Sequence, residues 1–125
     1  MKLLNNVKRC AVTILVTLGI SMGSYGAKVI EGGFYKSGNQ LIENCDDESV
    51  YGRTACLNYI LGIAEAHTTL KAWGEANVMC IPETVTGGQL MAVSLKYMRS
   101  VPEILHLGAG SHVLNALLVA FPCRD

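Results

Sequence analysis

Cysteine and histidine have the widest chemical repertoire of the residues in this chain, which carries five cysteines and three histidines in 125 residues. Cys45, Cys56, Cys80 and Cys123 are spaced too widely for a Cys-x-x-Cys pair, so neither a zinc knuckle nor a thioredoxin-like dithiol is suggested. In a reducing compartment one of them beside a histidine could serve as a nucleophile. In an oxidising compartment four cysteines in a short chain read as two disulfides. The N-terminus decides between these chemistries. Lys2, Lys8 and Arg9 precede the apolar run Cys10–Gly23, and Ser24-Tyr25-Gly26 closes it with small residues, the pattern of a secretory signal cleaved after Gly26. The run is shorter than the roughly 20 residues a spanning helix needs, so no membrane anchor is expected after cleavage. Cys10 follows Lys8-Arg9 at the head of the apolar run rather than after it, which argues against a lipoprotein site. All four later cysteines are therefore expected as cystines, and cysteine nucleophile chemistry falls away.

The expected domains are a signal peptide, 1–26, and one small domain, 27–125. Removing Lys2, Lys8 and Arg9 lowers Lys plus Arg from 10 to 7 while Asp plus Glu stays at 10, a net charge of about −3. A nucleic-acid binder should instead show a basic face that neutralises several phosphates. A chain near 100 residues buries one modest core, and such cores often need covalent help.

The remaining polar candidates carry little chemistry. His67 sits on an apolar helical stripe and reads as a structural histidine. His106 and His112 lie six residues apart across glycines, without the i, i+4 spacing of a helical metal pair, and read as surface residues. Asp46-Asp47-Glu48 is a solvated acidic turn with nothing to drive two carboxyl pKa values apart. Gly87-Gly88 opens a helix that could receive an anion, but no strand precedes it to make a phosphate loop. Gly62-x-x-x-Ala66 permits close helix approach, which serves packing or dimerisation. No cofactor and no metal is expected.

Four helices must position these residues. Ser37-x-x-Gln40 is a capping box that opens a first helix over about 38–45. From about Tyr51 to Trp73, Cys56, Ile60, Ile63, His67 and Leu70 recur at helical spacing, and Gly74 stands where a C′ glycine ends a helix. Thr86-x-x-Gln89 is a second capping box, opening a third helix over about 87–99 with Leu90, Val93 and Tyr97 on one stripe; Pro102 stops it. A fourth helix, about 110–121, turns Val113, Leu117 and Phe121 inward and ends before Pro122. With no strand pattern or internal repeat, the fold class is all-α, a small four-helix domain stapled by two disulfides.

Short connections favour antiparallel neighbours. Cys45, closing the first helix, then shares one end of the bundle with Cys56, one turn into the second. Cys80 follows the second helix at the far end, where the fourth helix delivers Cys123. Cys45–Cys56 and Cys80–Cys123 are the economical pairing, worth about 3 and 4 kcal/mol by loop entropy. The physical reading stops at an exported, rigid, helical binding protein.

The order of motifs goes further. Cys56-Leu-Asn-Tyr59-Ile60-Leu-Gly62-Ile-Ala64-Glu65, Cys80-Ile81-Pro82, Val85-Thr86-x-Gly88-Gln89-Leu90, Lys96-Tyr97 and Phe121-Pro122-Cys123 together resemble the Rap/Tai family of immunity proteins over about 37–123. The resemblance implies a small helical periplasmic protein, often a homodimer, that binds a cell-wall amidase effector of type VI secretion and blocks its Cys/His cleft. The alternative is a periplasmic helical binding or chaperone-like module with another protein partner; the two cystines and fixed caps favour a rigid inhibitor. A plug is best presented by a connection projecting from a rigid scaffold. Of the two long ones, 75–79 and 100–108, Pro102 stiffens the second. Glu103 and His106 are expected to supply its polar contacts to the effector, with Ile104 and Leu105 either as apolar anchors or as caps on the core.

Overall fold

A computed structural model describes residues 32, 33 and 35–124; the signal segment and its cleavage point lie outside them. Four α-helices follow in order: α1 (Gly38–Asp46), α2 (Val50–Ala72), α3 (Gly87–Ser100) and α4 (Ala109–Ala120), with a one-turn 3₁₀ helix, Pro102–Ile104, between the last two. Each α-helix packs against the other three. Among the described residues there is no strand, only two isolated bridges, Ser37 to Gly108 and Met79 to Pro122.

Local chemistry sets the helix ends. Ser37 and Thr86 each cap a helix reciprocally, the hydroxyl accepting from the backbone of Gln40 or Gln89 while that glutamine accepts from the cap's own N–H. Between α1 and α2, the Asp47 carboxylate accepts the Ser49 N–H at 2.8 Å and the Ser49 hydroxyl accepts the Gly52 N–H at 3.0 Å, so the acidic turn is also a cap. The Ser49 backbone N–H and hydroxyl, and more weakly the Arg53 charge, hold the Asp47 carboxyl below its ordinary pKa against an opposing effect of burial. Gly74, at φ +79, ends α2 with both backbone bonds of a Schellman motif: Gly74 N–H to Lys71 and Glu75 N–H to Leu70.

Leu41, Cys56, Ile60, Met98, Val113 and Leu117 form the fully enclosed centre. Two stripes differ from the sequence pattern. On α2 the buried line runs Cys56, Ile60, Ala64 and His67, while Leu70 is 42% exposed, on an open cavity that it lines with Val78, Leu114 and Leu118. On α3 the buried line is Leu90, Ser94 and Met98, with Val93 and Tyr97 half-buried at its edge. The expected disulfides are present: Cys45–Cys56 joins α1 to α2, and Cys80–Cys123 ties the α2–α3 connection to the chain end beyond α4. One exposed ion pair, Arg99 to Asp46 at 2.5 Å, also links α3 to α1; solvent and salt screening leave such a pair worth under about 1 kcal/mol.

Candidate partner-binding site

The connection after α3 is ordered by hydrogen bonds on almost every residue. Pro102 cannot continue a helix, so the chain leaves α3 at Val101 and re-coils at once into the 3₁₀ turn. Within it, Ile104 N–H donates to the Val101 carbonyl at 3.2 Å and Leu107 N–H to the Ile104 carbonyl at 3.0 Å. Three carbonyls of this segment then point back into the domain. Leu105 accepts from Asn39 N–H and Leu107 from Gly38 N–H, both at 2.9 Å, while Ile104 accepts from His112 Nε2 at 3.0 Å. The start of α1 is satisfied by the same contacts. Its exposed N–H groups, which no helix can pair internally, go to Gln40 Oε1, the two loop carbonyls and the Ser37 hydroxyl. Ala109 N–H donates to Lys36 on the other side of the bridge, at 2.9 Å.

This framework sorts the four residues expected at the contact. Glu103 and His106 are exposed and free to meet a partner; Ile104 is half-buried. Leu105 is only 8% exposed and belongs to the core, so it anchors the loop to the domain rather than reaching outward. In the other long connection, Val78 is 51% exposed and Met79 is buried.

His112 corrects the surface reading. It is 0% exposed, one turn into α4 on the face shared by Ala109, Val113 and Ala116. Helical periodicity carried that signal, but the glycines just before it, Gly108 and Gly110, masked it. Because Nε2 faces a carbonyl it must donate, which leaves Nδ1 as the bare nitrogen, and Nδ1 is buried without a partner. Burial lowers the ring's pKa; the bond to Ile104 opposes this by favouring the charged ring, and the His106 charge adds to the lowering. Gly38 completes the joint, since a Cβ there would stand 2.9 Å from His112 Cδ2 and 3.0 Å from the Leu105 carbonyl oxygen.

A second surface feature lies between the end of α2 and α4. Ile63, His67, Leu70, Val78, Leu114 and Leu118 line an open, almost wholly apolar cavity of about 360 Å³. His67 is buried there, with Nε2 unpartnered, and its pKa is lowered by burial and then by the Lys71 charge. Trp73, 70% exposed, follows at the end of the same helix. Among the described residues no three His, Cys, Asp or Glu side chains cluster as a metal site, and no helix is long and apolar enough to cross a membrane.

The fold is thus a cystine-stapled helical scaffold that presents one tightly braced loop. Residues 37–123, spanning all four helices and both disulfides, match the family model of the Rap1a immunity proteins, and the chain belongs to that family. No curated protein and no solved structure matches it. Membership implies a secreted effector protein as the partner; two disulfides suit an exported chain.

Proposed function

We propose that this chain is a periplasmic immunity protein that occludes the active-site cleft of a peptidoglycan amidase effector of type VI secretion. The observation that carries this reading is the braced loop, 101–108. Its backbone conformation is set before any partner arrives, so little ordering entropy is lost on binding. A Cys/His amidase must open its thiolate and imidazole to a peptide, and a plug need only fill that cleft and exclude substrate and water. Glu103 and His106 offer charged and polar contacts on the plug, and Ile104 an apolar one. A tight complex would bury about 1,600 Å² in total. The exposed apolar face around Leu70, Trp73, Val78 and Leu114 supports a second assignment, that two copies pair through it. Export to the periplasm by the N-terminal segment belongs to the same proposal.

The test is titration of the purified exported chain against a panel of purified cell-wall amidases, including any encoded beside it. Stoichiometric inhibition of one amidase is expected, weakened at least tenfold by Glu103→Ala with His106→Ala. Full inhibition by that double variant would move the plug elsewhere. Inhibition of none would leave the alternative of a binding module for another protein. Sedimentation equilibrium reads the pairing, and a monomer at all concentrations would remove the second copy.

A further inference from the structure

We propose that His112 is the positioning residue of the effector-contacting loop: its Nε2–H holds the Ile104 carbonyl and so sets the direction in which Glu103 and His106 leave the surface. The inference rests on the reading of that loop as the contact. A fully buried imidazole whose Nδ1 has no partner is a poor filler for a helical core, where an aliphatic side chain would pack without an orphaned polar atom. What the imidazole provides and an aliphatic chain cannot is a donor at the end of a rigid ring. That donor reaches eight residues back to the last residue of the 3₁₀ turn, the point from which the chain swings out to His106. The ring is held in place on the α1 side, where Gly38 leaves room for its Cδ2 edge and for no side chain. The neighbouring carbonyls, Leu105 and Leu107, are taken by the first amides of α1. The loop is thus pinned from two helices, and His112 is the one side chain among the three pins.

His112→Gln and His112→Asn separate donation from mere bulk, because the glutamine amide nitrogen can occupy the place of Nε2 while the asparagine amide stops short. Three readouts on the full exported chain decide the matter. In the unaltered protein, long-range proton–nitrogen spectra should show the Nε2–H tautomer; an Nδ1–H tautomer would overturn the proposal whether or not any variant folds. Amide exchange at Leu107, Gly38 and Asn39 should be parental in His112→Gln and about tenfold faster in His112→Asn, with the core amide of Ile60 slow in both. Parental exchange at all three in His112→Asn would also overturn it. Against an inhibited amidase, His112→Asn should bind about tenfold more weakly and His112→Gln like the parent, and the cost of Glu103→Ala should shrink in the His112→Asn background. Should Glu103→Ala with His106→Ala bind as the parent does, the contact reading fails, while tautomer and exchange still judge the positioning by itself.

Discussion

Gly38 and His112, 74 residues apart in sequence, meet so closely that a single methyl group on the glycine would stand 2.9 Å from the imidazole edge. Glycine in a helix ordinarily costs about 0.5–1 kcal/mol relative to alanine. Here the sign should reverse. Gly38→Ala must displace the ring or the Leu105 carbonyl, and overpacking of that kind costs about 1–3 kcal/mol. Gly62, inside α2, offers the contrast, for nothing lies within 4 Å of a Cβ built there. Urea unfolding should therefore show Gly62→Ala more stable than the parent and Gly38→Ala less. Two variants shifted in the same direction would contradict this geometry.

The disulfides close segments of 11 and 43 residues. Loop entropy assigns about 3 kcal/mol to Cys45–Cys56 and about 4 kcal/mol to Cys80–Cys123, large beside a typical net stability of about 5–15 kcal/mol. Paired serine substitutions should lower the unfolding free energy in that order. Equal losses, or a larger loss at Cys45–Cys56, would mean that strain or residual structure outweighs chain entropy.

His67 has no hydrogen bond on its buried Nε2 and lines an apolar cavity. His67→Leu replaces an unsatisfied polar atom with hydrocarbon, so it should fold and gain about 1 kcal/mol. In a domain of this size that is a rise of about 4–8 °C in Tm. Binding to the effector should be unchanged, since the loop at Glu103 and His106 does not include it. Loss of binding in a folded His67→Leu protein would place the contact on this face instead.

Acid should weaken the fold in two stages. The folded-state pKa values of His67 and His112 lie below the ordinary 6.5, so as the pH falls through about 6.5 the unfolded chain takes up protons that the folded one refuses. Stability from both groups is complete above that region and declines below it. Asp47, lowered from 3.8, adds a second decline that begins only as the pH approaches 4. Urea midpoints from about pH 8 to about pH 2 would trace both. The variant combining His67→Leu with His112→Gln should flatten the first stage and leave the second; an unchanged first stage would locate its cause elsewhere.

The helices were legible because their signals are local. Capping boxes at Ser37 and Thr86, a C′ glycine at Gly74 and prolines at 102 and 122 act within one turn of the chain, and the structure places the helix ends within about two residues of them. The disulfide pairing was legible one level up, since helix order and short connections leave Cys45 beside Cys56 and Cys80 beside Cys123. Tertiary structure alone decided which faces of those helices are covered. Leu70 continues an apolar stripe yet stays exposed on an open cavity; Leu105 reads as an apolar contact for the effector yet lies in the core. It also decided the brace on the candidate loop. The bonds from Gly38 and Asn39 to loop carbonyls join segments far apart in the chain, the one from His112 reaches back from α4 to the 3₁₀ turn before it, and a backbone carbonyl carries no residue-type signature by which either partnership could be read.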